Sequence, residues 1–212
     1  ADLEAFKDMA RIDMLKEERI YMCAPADASK AVLYSNPMMG VYDKDIENIG
    51  NLFELTAHYK QCAERLAVHA ASGKGFSWLF EFQAQLASLC ASKWNLGLRL
   101  KQAYEKGDRA ALGKMADEMT AMKDQVSKVR LAHRDVWMRY CKAFGWDVLD
   151  IRYGGLICQL DTGALRVKLY AEGKLEQLEE LEETRLPFNG ETEPHGILGV
   201  ASYDRIATSC QF

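Results

Sequence analysis

The stretch LGKMADEMTAMKDQVSKVRLAHRDVWMRY, Leu112 to Tyr140, decides the fold class. Leu112, Met115, Met119, Met122, Val126, Val129, His133, Trp137 and Tyr140 recur at alternating steps of three and four. That period keeps side chains on one side of an α-helix. A seam of about eight turns has to be buried by neighbouring helices, so it predicts a bundle.

Working outward, Trp78, Phe82, Leu86, Leu89 or Cys90, and Trp94 repeat every three to four residues and predict a helix over 76–106, stopped by Gly107-Asp108. An earlier helix is expected over 43–71, closed by Gly73-Lys74-Gly75. A later one is expected over 156–183, through Leu160, Ala164, Val167, Leu175, Leu178 and Leu181, with Gly163 and Gly173 weakening it. The four prolines, Pro25, Pro37, Pro187 and Pro194, leave 41–186 free to be helical. A charged helix leads the chain over 3–20, and a connector follows with turns at Asn36-Pro37 and Gly40. The expected fold is all-α, an antiparallel bundle of about five helices joined by short glycine-containing turns. It forms one helical domain over 1–212: a leading helix and connector over 1–42, the bundle over 43–186, and an irregular tail over 187–212 with a short extended piece that docks back.

With 212 residues and 49% hydrophobic content the chain can bury a real core. Its 27 basic and 31 acidic residues are interspersed, so no basic field points toward nucleic acid or an anionic membrane. No apolar run approaches the roughly 20 residues of a membrane span, and the charged N-terminal segment is unlike a signal peptide. A cytoplasmic location is therefore the expectation. The chain opens in mid-helix pattern on Ala1, as a piece of a longer polypeptide would. Cys23, Cys62, Cys90, Cys141, Cys158 and Cys210 have no clustered spacing, which fits reduced, packed thiols.

The residues that could carry chemistry lack the spacings that catalytic or metal sites require. Glu54 with His58 and Glu64 with His69 miss the Glu-x-x-His step of a carboxylate-bridged di-metal bundle. His58 and Cys62 share a face but lack a second ligand pair, so no metal is expected. The run DKDIENIGNLFE, Asp43 to Glu54, imitates a calcium loop but has Asn48 where the turn needs glycine; it reads as an acidic helix start. Asp117 and Glu118 are adjacent and diverge by about 100° on a helix. No glycine-rich phosphate or dinucleotide motif and no nucleophile elbow occurs, so no cofactor is expected and no catalytic residue is assigned.

One dense stretch is left. WDVLDIRYGGL, Trp146 to Leu156, crowds special residues into what reads as a connector between helices. The combination HRDVWMRYCKAFGWDVLDIRYGGL, LEQLEELEETRLPF, YSNPMMGVYD and YDRIATSCQF resembles the C-terminal helical domain of certain bacterial glycoside hydrolase family 20 exo-β-N-acetylhexosaminidases, over about 32–212. In that family a barrel precedes the helical domain and carries an Asp-Glu pair. Its aspartate orients the substrate acetamido group and its glutamate is the general acid and base. Asp117-Glu118 departs from that context, so the resemblance implies a non-catalytic accessory domain, with the upstream barrel of the same polypeptide as partner and a homodimer as a further expectation. On this reading the stretch is an interface joint: Gly154 and Gly155 for close approach, Asp150 and Arg152 for mutual pairing or capping, Trp146 and Tyr153 for a wet neighbouring surface. The competing reading is a free-standing adaptor that binds amphipathic helices through Met115, Met119 and Met122.

Overall fold

The computed structural model describes residues 3–9, 32–50 and 54–186. Expectations for the rest, the tail over 187–212 among them, lie outside the described residues. These residues form α1 (Leu3–Met9), α2 (Asp43–Gly50), α3 (Leu55–Ala71), α4 (Ser77–Lys93), α5 (Leu96–Glu105), α6 (Arg109–Tyr140), α7 (Trp146–Ala171) and α8 (Glu179–Glu182). The all-α bundle expected from the sequence is what they build.

The centre is two helical hairpins. α3 packs on α4 across a turn in which Gly73 and Gly75 take positive φ, and α6 packs on α7 across a turn ending at Gly145 with φ of 90°. α4 and α6 then join the hairpins. α6 buries Leu112, Ala116, Met119, Met122, Val126 and Val129, at about 1.5–3 kcal/mol for each large side chain. The predicted seam holds through its middle and drifts at its ends, where Ala116 takes the innermost place beside a half-buried Met115 and Tyr140 is exposed. Met119 and Met122 are fully buried, which removes the methionine face that the adaptor reading needs.

Three predicted helices are corrected. The helix over 43–71 is divided into α2 and α3, with Glu54 capping α3 by accepting a hydrogen bond from the Thr56 amide. The helix over 76–106 is interrupted at Trp94-Asn95. There the Trp94 indole donates to Thr56 Oγ1 at 2.8 Å and Asn95 Oδ1 accepts from Arg99 Nε at 3.1 Å. The helix over 156–183 instead begins at Trp146 and ends at Ala171. Gly173 adopts φ of 73° and the Lys174 amide reaches back to Leu169 O at 2.8 Å, a glycine-stopped helix end. Leu178 and Leu181 are buried from the following turn and α8.

The largest correction concerns WDVLDIRYGGL, which is the first half of α7 rather than a connector. Leu149, Tyr153, Leu156 and Leu160 carry an inward phase of four, three and four straight through Gly154-Gly155. Within the chain, an added Cβ at Gly154 would meet nothing within 4 Å. Gly154→Ala should therefore raise stability by about 0.5–1 kcal/mol, because a glycine inside a helix costs backbone entropy with no packing return. Chemical denaturation measures this, and a destabilised variant would contradict the open space at that position.

Candidate functional site

Two clusters of polar side chains sit where the segment 32–43 docks on the bundle. In the first, the Tyr34 and Tyr153 hydroxyls hydrogen-bond each other, and Tyr153 Oη lies 2.9 Å from His133 Nδ1. The His133 ring stacks on Phe82 with centroids 4.5 Å apart, and Trp146 meets its edge at 5.4 Å. Burial pushes the His133 imidazole down to about 4, so it is neutral near pH 7, and burial raises both tyrosines. A neutral imidazole among tyrosines held protonated is a packed hydrogen-bond chain. Cys90 beside it is fully enclosed, its thiol pushed up to about 12 by burial.

The predicted interface residues divide across this cluster. Trp146 and Tyr153 are 5% and 1% exposed, so their surface is spent inside the fold and not on a wet boundary. The Trp146 indole N–H has no acceptor among the described residues. Asp150 does not pair with Arg152, because two helical residues two apart point about 200° apart. Asp150 bonds Arg130 of α6 instead, at 2.8 Å from Nε and 2.7 Å from Nη2, while the Arg152 guanidinium lies 6.0 Å from the Tyr34 ring centroid. Gly154 and Gly155 are half-buried on α7.

The second cluster was not foreseen. Asp43 and Lys93 are buried, and Arg185 reaches in beside them. Lys93 Nζ donates to Ser35 O at 2.7 Å and Val32 O at 3.2 Å. Arg185 Nη2 donates to Met38 O at 2.8 Å and Nη1 to Glu180 O at 3.1 Å, while its Nε stands 3.3 Å from Asp43 Oδ2. That last contact pairs the charges without hydrogen-bond alignment. Burial outweighs both cations, and Asp43 is raised to about 6. Two glycines make room for it: an added Cβ would come within 2.5 Å of Asp43 Oδ1 at Gly97 and closer still to Oδ2 at Gly40. The acidic helix start expected for DKDIENIGNLFE is helical over Asp43–Gly50, and its first carboxylate is enclosed. Lys93 had a visible signal, since it continues the apolar spacing Phe82, Leu86, Leu89 by four.

The other candidates resolve into ordinary structure. Glu118 lies in a groove of about 610 Å³ between α3, the α4–α5 break and α6, and it accepts hydrogen bonds from Nη1 and Nη2 of Arg99, at 2.9 and 2.7 Å. Asp117 is exposed elsewhere on α6. His58 Nε2 lies 2.8 Å from Asp8 O and 3.7 Å from Cys62 Sγ, a packed arrangement in which burial raises the thiol to about 11. Among the described residues no three His, Cys, Asp or Glu side chains come together as a metal site would require, and no helix is long and apolar enough to cross a membrane.

These clusters join distant parts of the chain, 32–43, the start of α7 and the segment after α8. A family model described as the Glycoside Hydrolase 20C C-terminal domain matches residues 4–199. No curated protein matches the chain.

Proposed function

Because the chain belongs to the Glycoside Hydrolase 20C C-terminal domain family, we propose that it is the non-catalytic accessory domain of a family 20 β-N-acetylhexosaminidase. In this reading an upstream barrel of the same polypeptide removes terminal N-acetylhexosamine from glycans. The helical domain packs against that barrel and helps to build a homodimer. The match over 4–199 carries the reading. It is supported by the state of the Asp117-Glu118 pair, in which Glu118 is held in a two-pronged bond by Arg99 and Asp117 points elsewhere. Glycoside hydrolysis wants two carboxylates about 5–10 Å apart across one pocket, with a site for the sugar between them.

The 212-residue chain alone should leave a chromogenic N-acetyl-β-glucosaminide intact, while the same chain joined to its upstream region hydrolyses it. Turnover by the isolated chain that is lost in Asp117→Asn or Glu118→Gln would overturn the accessory reading.

A further inference from the structure

α7 has two apolar faces, and the core uses one of them. Tyr153, Leu156, Leu160, Ala164 and Val167 point inward. On the opposite side Val148, Ile151, Gly155, Cys158, Thr162 and Leu165 succeed one another at steps of three, four, three, four and three, with no charged residue among them. Val148 is 40% exposed, Ile151 and Leu165 are each 58% exposed, and Phe144 extends the stripe past the helix start at 90%. Scattered apolar surface residues need no explanation, but an uncharged stripe with heptad spacing is the sequence of a helix–helix seam. α7 is 26 residues long, and the stripe from Val148 to Leu165 runs about 26 Å along it.

We propose that this outer face of α7 is the two-fold seam of a homodimer, with α7 of a second copy lying parallel and in register. The inference rests on the homodimer in the functional reading above and assigns it a surface. The charges beside the stripe select both occupant and direction. Asp147 and Asp161 flank it on one side, and Arg152 and Arg166 on the other. In a parallel pair each flank meets the opposite flank of the other copy, five residues on, so Asp147 faces Arg152 and Asp161 faces Arg166 on both sides of the seam. An antiparallel pair sets Arg152 against Arg166 instead. Asp161 already bonds Lys123 and Arg166 already bonds Glu179 and Glu180 within the chain, so the crossed pairs fix direction more than affinity. Gly155 and Cys158, small and near the middle, let the two backbones come close. The parallel register puts the exposed Cys158 thiol beside its counterpart.

Sedimentation of the 212-residue chain, with and without a short bismaleimide, tests this. The expected result is a reversible dimer, a covalent dimer that Cys158→Ser abolishes, and a dimer weakened at least about 100-fold by Ile151→Glu with Leu165→Glu. Helix content of that variant should be unchanged, because both side chains are exposed. A dimer that survives the double substitution and gives no Cys158 link overturns the seam while leaving dimerisation intact. A chain that stays monomeric overturns both, and protection of Ile151 and Leu165 only when the upstream region is attached assigns the face to the catalytic domain. Neither of these last results touches the non-catalytic role of the chain, which the glycosidase assay decides separately.

Discussion

Arg185→Ala should lower the free energy of unfolding at pH 7 by about 3–5 kcal/mol, the cost of removing one partner from a buried ion pair. Arg185 is nearly enclosed, its side chain 8% exposed against 7% for Asp43. Its loss leaves the Asp43 carboxylate with Lys93 as the remaining nearby cation, and Lys93 is already committed to the carbonyls of Ser35 and Val32. It also strips donors from the Met38, Met39 and Glu180 carbonyls. The deficit should shrink as pH falls, since Asp43 then takes a proton and no unpaired charge remains inside. Gly97→Ala provides an independent check. Its methyl would stand 2.5 Å from Asp43 Oδ1, so it should destabilise the same cluster without touching Arg185. Urea denaturation of both variants at pH 7 and pH 4 decides the matter, and an Arg185→Ala deficit under about 1 kcal/mol would mean that the pair is solvated.

This cluster also marks the limit of what the sequence reveals. Periodicity located the core of α6 because Met119, Met122, Val126 and Val129 obey a local rule. It failed at Trp146–Leu156, where an unusual mix of Trp, Asp, Arg and paired glycines resembles loop texture. The inward phase of Leu149, Tyr153, Leu156 and Leu160 was present there and outranks composition. The break between α4 and α5 has only a weak local signature, Asn95, a residue type favoured at helix starts and here the N-cap of α5. The Trp94 indole at the break donates to Thr56, 38 residues earlier in the chain. Partners so far apart in sequence, such as Asp43 with Arg185, are fixed by tertiary packing and leave no mark in spacing. Three of the four family motifs meet in the two clusters, through YSNPMMGVYD, the start of α7 and the region of Arg185, while YDRIATSCQF lies outside the described residues.

The two clusters titrate in opposite senses over the same pH range, and single substitutions should separate them. Asp43 is raised from 3.8 to about 6, chiefly by burial and against the pull of Arg185 and Lys93. The folded chain therefore holds this proton more tightly than the unfolded one. The resulting stability is fully present below about 3.8 and is lost as pH rises through about 6, a change of about 3 kcal/mol. His133 is lowered from 6.5 to about 4 by burial, so its contribution is present above about 6.5 and is lost as pH falls through about 4. Its change is on the order of 2 kcal/mol after allowance for partial exposure. Between pH 4 and 6 the two slopes oppose, and the wild-type chain should show a shallow dependence from this pair. The gap between wild type and His133→Phe should narrow as pH falls from 7 to 4, because only the wild type loses stability there. The gap between wild type and Asp43→Asn should instead narrow as pH rises from 4 to 7. The phenyl ring of the first variant keeps the stack on Phe82, and the side-chain amide of the second keeps the shape between Gly40 and Gly97, so each comparison isolates one proton. Thermal or urea unfolding at four pH values gives both difference curves. Difference curves that stay flat across this range would show that neither group is shielded from water, and slopes of the same sign would leave only one of the two clusters as a closed environment.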